Sequence, residues 1–151
     1  MSLIIVYADG ACRGNPGPMA IGASIQTAEG VELSTVSALL GQGTNNLAEY
    51  GAAIAGVRKA IEYGTDAIEL RMDSQLVVKQ LTGEFQIRKA DLKPLLNELL
   101  TLIGQYKTWS VLHVRREQNQ RADRSARSVQ LAFVYPTAIA TLGTSESISP
   151  L

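Results

Sequence analysis

Leu3-Ile4-Ile5-Val6-Tyr7-Ala8-Asp9-Gly10-Ala11-Cys12-Arg13-Gly14-Asn15-Pro16-Gly17-Pro18 joins a short apolar run to a turn through one carboxylate. The run is β-branched and short, which predicts a buried strand over residues 3–9. The Gly, Pro and Asn residues that follow predict a tight turn, placing Asp9 at the mouth of a sheet rather than inside it. A charge at a buried strand end is costly unless a cation or a hydrogen-bond network meets it. An Asp that caps its own turn is the ordinary alternative.

Three further carboxylates stand in comparable settings. Glu49 lies in Gly43-Thr44-Asn45-Asn46-Leu47-Ala48-Glu49-Tyr50, where Thr44, Asn45 or Asn46 can cap a helix over 45–63. Its ordinary role would be favourable charge at a helix N-terminus. Asp73 follows the strand-like Ala67-Ile68-Glu69-Leu70-Arg71-Met72 and precedes a helix over 75–82, where an N-cap is the plain alternative. Asp123 follows the strand-like stretch 108–114 and falls on a helix over 119–130, where a solvated surface acid is the plain alternative. As a set they point to chemistry, because functional groups in α/β sheets gather at the carboxyl ends of strands. Four oxygen donors without a Cys or His cluster suit a hard divalent cation such as Mg²⁺ or Mn²⁺ and do not suit zinc.

In order and spacing, Asp9-Gly10-x-Cys12-x-Gly14-Asn15-Pro16-Gly17-Pro18, Thr44-Asn45-Asn46-x-x-Glu49, Asp73-Ser74-Gln75 and Asn119-x-x-Ala122-Asp123 resemble the four motifs of type 1 ribonuclease H. The resemblance spans roughly residues 3–129 and is nearest the compact bacterial and archaeal branch. It implies an α/β ribonuclease H-like fold: a five-stranded mixed sheet flanked by helices, with three antiparallel strands at one side. The elements read from the sequence agree. They are strands at 3–9, 19–27, 31–40, 67–72 and 108–114, and helices at 45–63, 75–82, 91–105 and 119–130.

The resemblance also implies a metal-dependent endonuclease that hydrolyses the RNA strand of RNA–DNA hybrids, leaving 5′-phosphate and 3′-hydroxyl ends. Asp9, Glu49, Asp73 and Asp123 are then both the catalytic residues and the ligands of two Mg²⁺ ions, with Mn²⁺ an alternative. Asp9 bridges the ions, Asp123 shares the water-activating one, and Glu49 and Asp73 hold the one at the leaving group. Two ions roughly 4 Å apart answer the two difficulties of phosphodiester hydrolysis, a weak nucleophile and a poor leaving group.

Asn15, Asn45 and Gln75 match family positions that contact the hybrid across its minor groove, where amides can both donate to and accept from a 2′-hydroxyl. Thr44 matches a residue that holds a DNA-strand phosphate. Gly10, Cys12, Asn46, Arg115 and Arg116 complete the expected substrate contacts. Capping and turn bonding are the ordinary roles of these Thr and Asn residues; Phe85 could lie against DNA sugars, with core packing its ordinary alternative. Two readings stay open beside the main one: cleavage of double-stranded RNA as well or instead, and, from another class, a nucleic-acid-binding module that does not cut.

Three departures from the family pattern stand out. The connection 83–92 is short for the basic protrusion that some members use to grip hybrids, leaving Arg88, Lys89 and Lys93 as partial substitutes. The loop before Asp123 carries no histidine; His113 reads as structural, on the last strand, and Arg115 or Arg116 takes the loop position as an always-charged side chain. No separate hybrid-binding module is recognised.

With 151 residues, the chain suits one core. The expected division is a catalytic domain over 1–130 and a tail over 131–151, its apolar part 131–142 docked on the domain or another molecule and 143–151 mobile. The 14 basic and 14 acidic residues balance, so any nucleic-acid footprint must be local. Arg115, Arg116, Arg121, Arg124 and Arg127 form such a cluster around Asp123. The single cysteine excludes an internal disulfide. With no secretory leader and no membrane-length apolar run recognised, the expectation is a cytoplasmic monomer with no membrane partner.

Overall fold

The computed structural model describes residues 2–86 and 90–126. Strand β1 (Leu3–Cys12) forms the centre of a five-stranded sheet in the order β3-β2-β1-β4-β5. Strands β2 (Gly17–Thr27) and β3 (Glu32–Gly43) continue from it as an antiparallel meander. On its other side β4 (Ala67–Met72) and β5 (Thr108–His113) are parallel to β1 and to each other. The expected mixed sheet with three antiparallel strands at one side is therefore present.

Helix α1 (Asn45–Ile61) packs across β1 and β2, and α3 (Lys93–Ile103) packs beside it. The buried Gly51, Ala52, Ala53, Ala55, Gly56 and Ala60 make α1 slim enough to lie against the sheet. Ile4, Val6, Leu70, Ile54, Leu99 and Ile103 are fully buried between the layers. Helix α2 (Gln75–Leu81) follows β4 directly. The final helical segment begins as a 3-10 turn, Arg116–Asn119, and is α-helical at 120–126. It crosses the face opposite α1, at Gly22: a Cβ there would stand 2.2 Å from the Ala122 carbonyl oxygen.

Several expected boundaries shift, for local reasons. Strand β1 extends beyond residue 9 because Gly10, Ala11 and Cys12 continue the ladder opposite Ile21, Ala20 and Met19. Asp9 is thus inside the strand on its β2 side, paired with Gly22, and beyond the end on its β4 side, where pairing stops at Ala8–Met72. The mouth of the sheet at Asp9 is one-sided. Helix α3 begins at Lys93 rather than 91, with Pro94 in its first turn, where a missing N–H is tolerated. Arg88, Lys89, Arg127, the end of the expected last helix and the tail 131–151 lie outside the described residues. No helix among the described residues is long and apolar enough to cross a membrane.

Candidate active site

Consecutive side chains on a strand face opposite ways, and β1 uses this at its open end. Gly10 faces α1. A Cβ there would lie 2.1 Å from the Ala48 carbonyl oxygen, so only glycine lets the helix start this close to the strand. The Gly10 N–H donates to Oε1 of Glu49, fixing that carboxylate at the strand end. Asp9 faces the other way, paired with Gly22 and hydrogen-bonded to Asp123 of the helical segment.

At both helix starts the cap is a hydroxyl rather than a carboxylate or an amide. Thr44, not an Asn, is the N-cap of α1, its hydroxyl accepting from Leu47 N–H at 3.3 Å. Ser74, not Asp73, caps α2 through Val77 N–H at 3.3 Å. Ligand oxygens of Asp9, Glu49 and Asp73 lie within 4.8 Å of one another, and Asp123 lines the same cavity of about 420 Å³.

Packing carboxylates this closely changes their acidity. Burial pushes Asp9 up from 3.8 to about 7, helped by the Asp73 charge and by the Asp123 hydrogen bond and charge, and partly offset by its bond with Glu49. Burial likewise lifts Glu49 from 4.5 to about 9, with the Asp9 charge next, against the opposing Gly10 N–H. Without a cation the cluster therefore holds protons at neutral pH. All donors are carboxylate oxygens, a set that fits hard divalent cations such as Mg²⁺ or Mn²⁺.

The expected substrate residues surround the acids at several places. Gly10, Asn45, Asn46 and Arg116 line the cavity with the acids. Cys12, Asn15 and Asn45 form a rim held by the Cys12 N–H to Asn45 Oδ1 bond at 3.0 Å and the Asn45 N–H to Asn15 Oδ1 bond at 3.2 Å. Gln75 is exposed one residue beyond the Ser74 cap. Arg115 is exposed and caps the 3-10 turn, its N–H donating to Gln118 Oε1 at 3.0 Å. Arg116 Nε stands 3.6 Å from Asp73 Oδ2, and the same residue borders a second hollow with Glu117, Gln120, Asp123 and Arg124. His113 is exposed at the end of β5, Nε2 3.3 Å from the Asp73 carbonyl oxygen. Asn119 is buried, its amide donating to the Ala8 carbonyl at 2.9 Å. Asn119 belongs to the motif around Asp123, but its partner lies 111 residues away and no local signal points to it.

Comparison with known proteins agrees with this geometry. The "Reverse transcriptase-like" family model matches residues 7–129. The chain is 44% identical over 120 residues to a curated "Ribonuclease HI" of Halobacterium salinarum, covering 80% of this chain and 60% of that one. A solved RNase H1 of that archaeon superposes with a TM-score of 0.83 at 41% identity, covering 85% of this chain and 98% of the other. The "Bifunctional protein Rv2228c" of Mycobacterium tuberculosis is 37% identical over 136 residues, 89% of this chain and 37% of that one. LC11-RNase H1, solved in complex with an RNA/DNA hybrid, gives a TM-score of 0.80 at 34% identity, covering 86% of this chain and 99% of the other. The chain thus spans 60% and 37% of the length of these two curated relatives. Its sequence match, its sheet order and its acidic cluster agree: the chain belongs to the ribonuclease H-like, reverse transcriptase-like family.

Proposed function

We propose that this chain is a divalent-metal-dependent endoribonuclease that cuts the RNA strand of RNA–DNA hybrids, leaving 5′-phosphate and 3′-hydroxyl ends. The observation that carries the reading is the convergence of Asp9, Glu49 and Asp73 within 4.8 Å, with Asp123 on the same cavity. A pure binding module gains nothing from buried, mutually repelling carboxylates that must hold protons when no cation is present. The hybrid substrate is supported by LC11-RNase H1, which is 34% identical and was solved with an RNA/DNA hybrid.

Asp9, Glu49, Asp73 and Asp123 would hold the cations. When bound, two such ions lower the cost of deprotonating a water and of expelling the 3′-alkoxide. The chain's own groups do the rest. The Gly10 N–H orients Glu49. Asn15 and Asn45 present amides at the rim, and Gln75 an exposed one beyond Ser74, where a 2′-hydroxyl can be both donated to and accepted from. Thr44 and Asn46 flank Asn45 at the start of α1, and the Cys12 backbone completes the rim. Arg115 and Arg116 supply positive charge for backbone phosphates beside the acids.

The test is cleavage of end-labelled RNA–DNA, RNA–RNA and DNA–DNA duplexes of one sequence, with Mg²⁺, Mn²⁺ or EDTA. Metal-dependent cutting of RNA in the hybrid supports the reading, and cutting of the RNA duplex as well widens the substrate class. No cutting by folded protein under any condition overturns it.

A further inference from the structure

Asp9 and Asp123 sit at opposite ends of the fold's sequence, and their contact depends on how the helical segment is seated on the sheet. Three features seat it. Gly22, the cross-strand partner of Asp9, sets the depth: its missing Cβ would lie 2.2 Å from the Ala122 carbonyl oxygen and 2.5 Å from the Ala126 nitrogen. Asn119, one helical turn before Asp123, sets the placement along the strand by donating from Nδ2 to the carbonyl of Ala8, the residue before Asp9. Ser37 Oγ, donating to the Ser125 carbonyl at 2.9 Å, holds the far end of the segment.

Asn119 is 1% exposed, and its Oδ1 is buried without a hydrogen-bond partner among the described residues. A buried amide satisfied on one side only is a poor way to gain stability, since an apolar residue would avoid the desolvation cost. Its one bond lands beside Asp9. We propose that Asn119 is a positioning residue, which fixes Asp123 against Asp9 so that the two carboxylates take up a divalent cation together. The proposal rests on the metal-site reading above and assigns Asn119 no contact with substrate. Groups that orient metal-binding side chains typically matter tenfold to a hundredfold when removed.

The experiment compares wild type, Asn119→Ala and Ile103→Val, a core change in α3 away from this link. Mn²⁺ affinity is measured by titration calorimetry without nucleic acid, and kcat and KM are measured on a hybrid. Asn119→Ala should weaken Mn²⁺ binding at least tenfold and lower kcat about as much, with KM within twofold of wild type. Ile103→Val should lower the melting temperature while keeping Mn²⁺ affinity and kcat within twofold. Should Asn119→Ala fail to fold, Asn119→Ser, too short to reach the Ala8 carbonyl, is read against the same expectations. Metal affinity and kcat within twofold of wild type in the Asn119 variant overturn the proposal, as do equal losses in Ile103→Val. A wild type that binds no Mn²⁺ removes the metal-site reading and this proposal with it.

Discussion

Asp9→Asn should make the metal-free protein more stable while abolishing its cleavage. The wild-type Asp9 carboxyl is raised from 3.8 to about 7, first by burial and then by its acidic neighbours. A carboxyl that binds its proton more tightly folded than unfolded costs the fold stability as pH rises between those two values, and the cost stays at its full size above them. Glu49 behaves alike between 4.5 and about 9. For Asp9 the gap is about three pH units, or roughly 4 kcal/mol at about 1.4 kcal/mol per unit. Asparagine keeps the shape, removes the charge and relieves Glu49 as well. The loss of hydrogen bonds to Asp123 and Glu49 offsets part of the gain, leaving an expected 2–4 kcal/mol, roughly 5–15 °C in melting temperature for a domain of this size. The assay is thermal unfolding in EDTA from pH 4 to pH 9. The variant's advantage should be near zero at pH 4, grow through neutrality and be largest at pH 8–9. Saturating Mg²⁺ should raise the wild-type melting temperature and move the variant much less. An Asp9→Asn protein that melts at or below wild type at pH 8.5 in EDTA would falsify the electrostatic account of the site.

Other substitutions probe other supports. Gly22→Ala forces a Cβ against the Ala122 carbonyl oxygen, so it should cost about 1–3 kcal/mol in urea unfolding and reduce cleavage beyond that stability loss. Tyr50, fully buried, donates its hydroxyl to Gln80 Oε1 and so links the helix of Glu49 to the helix that follows Asp73. Tyr50→Phe leaves that oxygen without its partner and should cost about 1–3 kcal/mol in urea unfolding, read as a lower denaturant midpoint at unchanged slope. Arg116→Ala should weaken hybrid binding in Ca²⁺ and flatten the logarithmic salt dependence by about one unit, whereas an unchanged slope would remove Arg116 from the phosphate contacts.

The acidic quartet was legible because its members stand beside short, well-bounded elements: Asp9 and Asp73 end apolar strands, Glu49 and Asp123 fall on helices after loops, and only the set of four outweighed each one's ordinary capping or surface role. The sheet was legible for the same reason: runs such as Leu3–Ala8 and Ala67–Met72 are short, β-branched or alternating, and bounded by breakers. What escaped is tertiary. Whether Ser74 or Asp73 caps α2 depends on which oxygen reaches Val77 N–H, and both residues are good caps. That β1 runs on to Cys12 depends on Met19 returning opposite it. Asn119 stood in the motif around Asp123, but nothing in that motif names its partner, the Ala8 carbonyl 111 residues away. Gly10 was read as a substrate contact from its motif; its close approach to Ala48 becomes visible only once α1 is docked.

The four carboxylates come from residues 9, 49, 73 and 123, on two strand ends and two helices, and no two share a local segment. A chain still leaving the ribosome therefore carries no complete acidic pocket: before residue 123 has emerged and its helix has settled on Gly22, that pocket lacks a wall. The proposed cutting activity requires the completed fold. By the same logic, metal uptake can serve as a titratable reporter of how much of a population has finished folding.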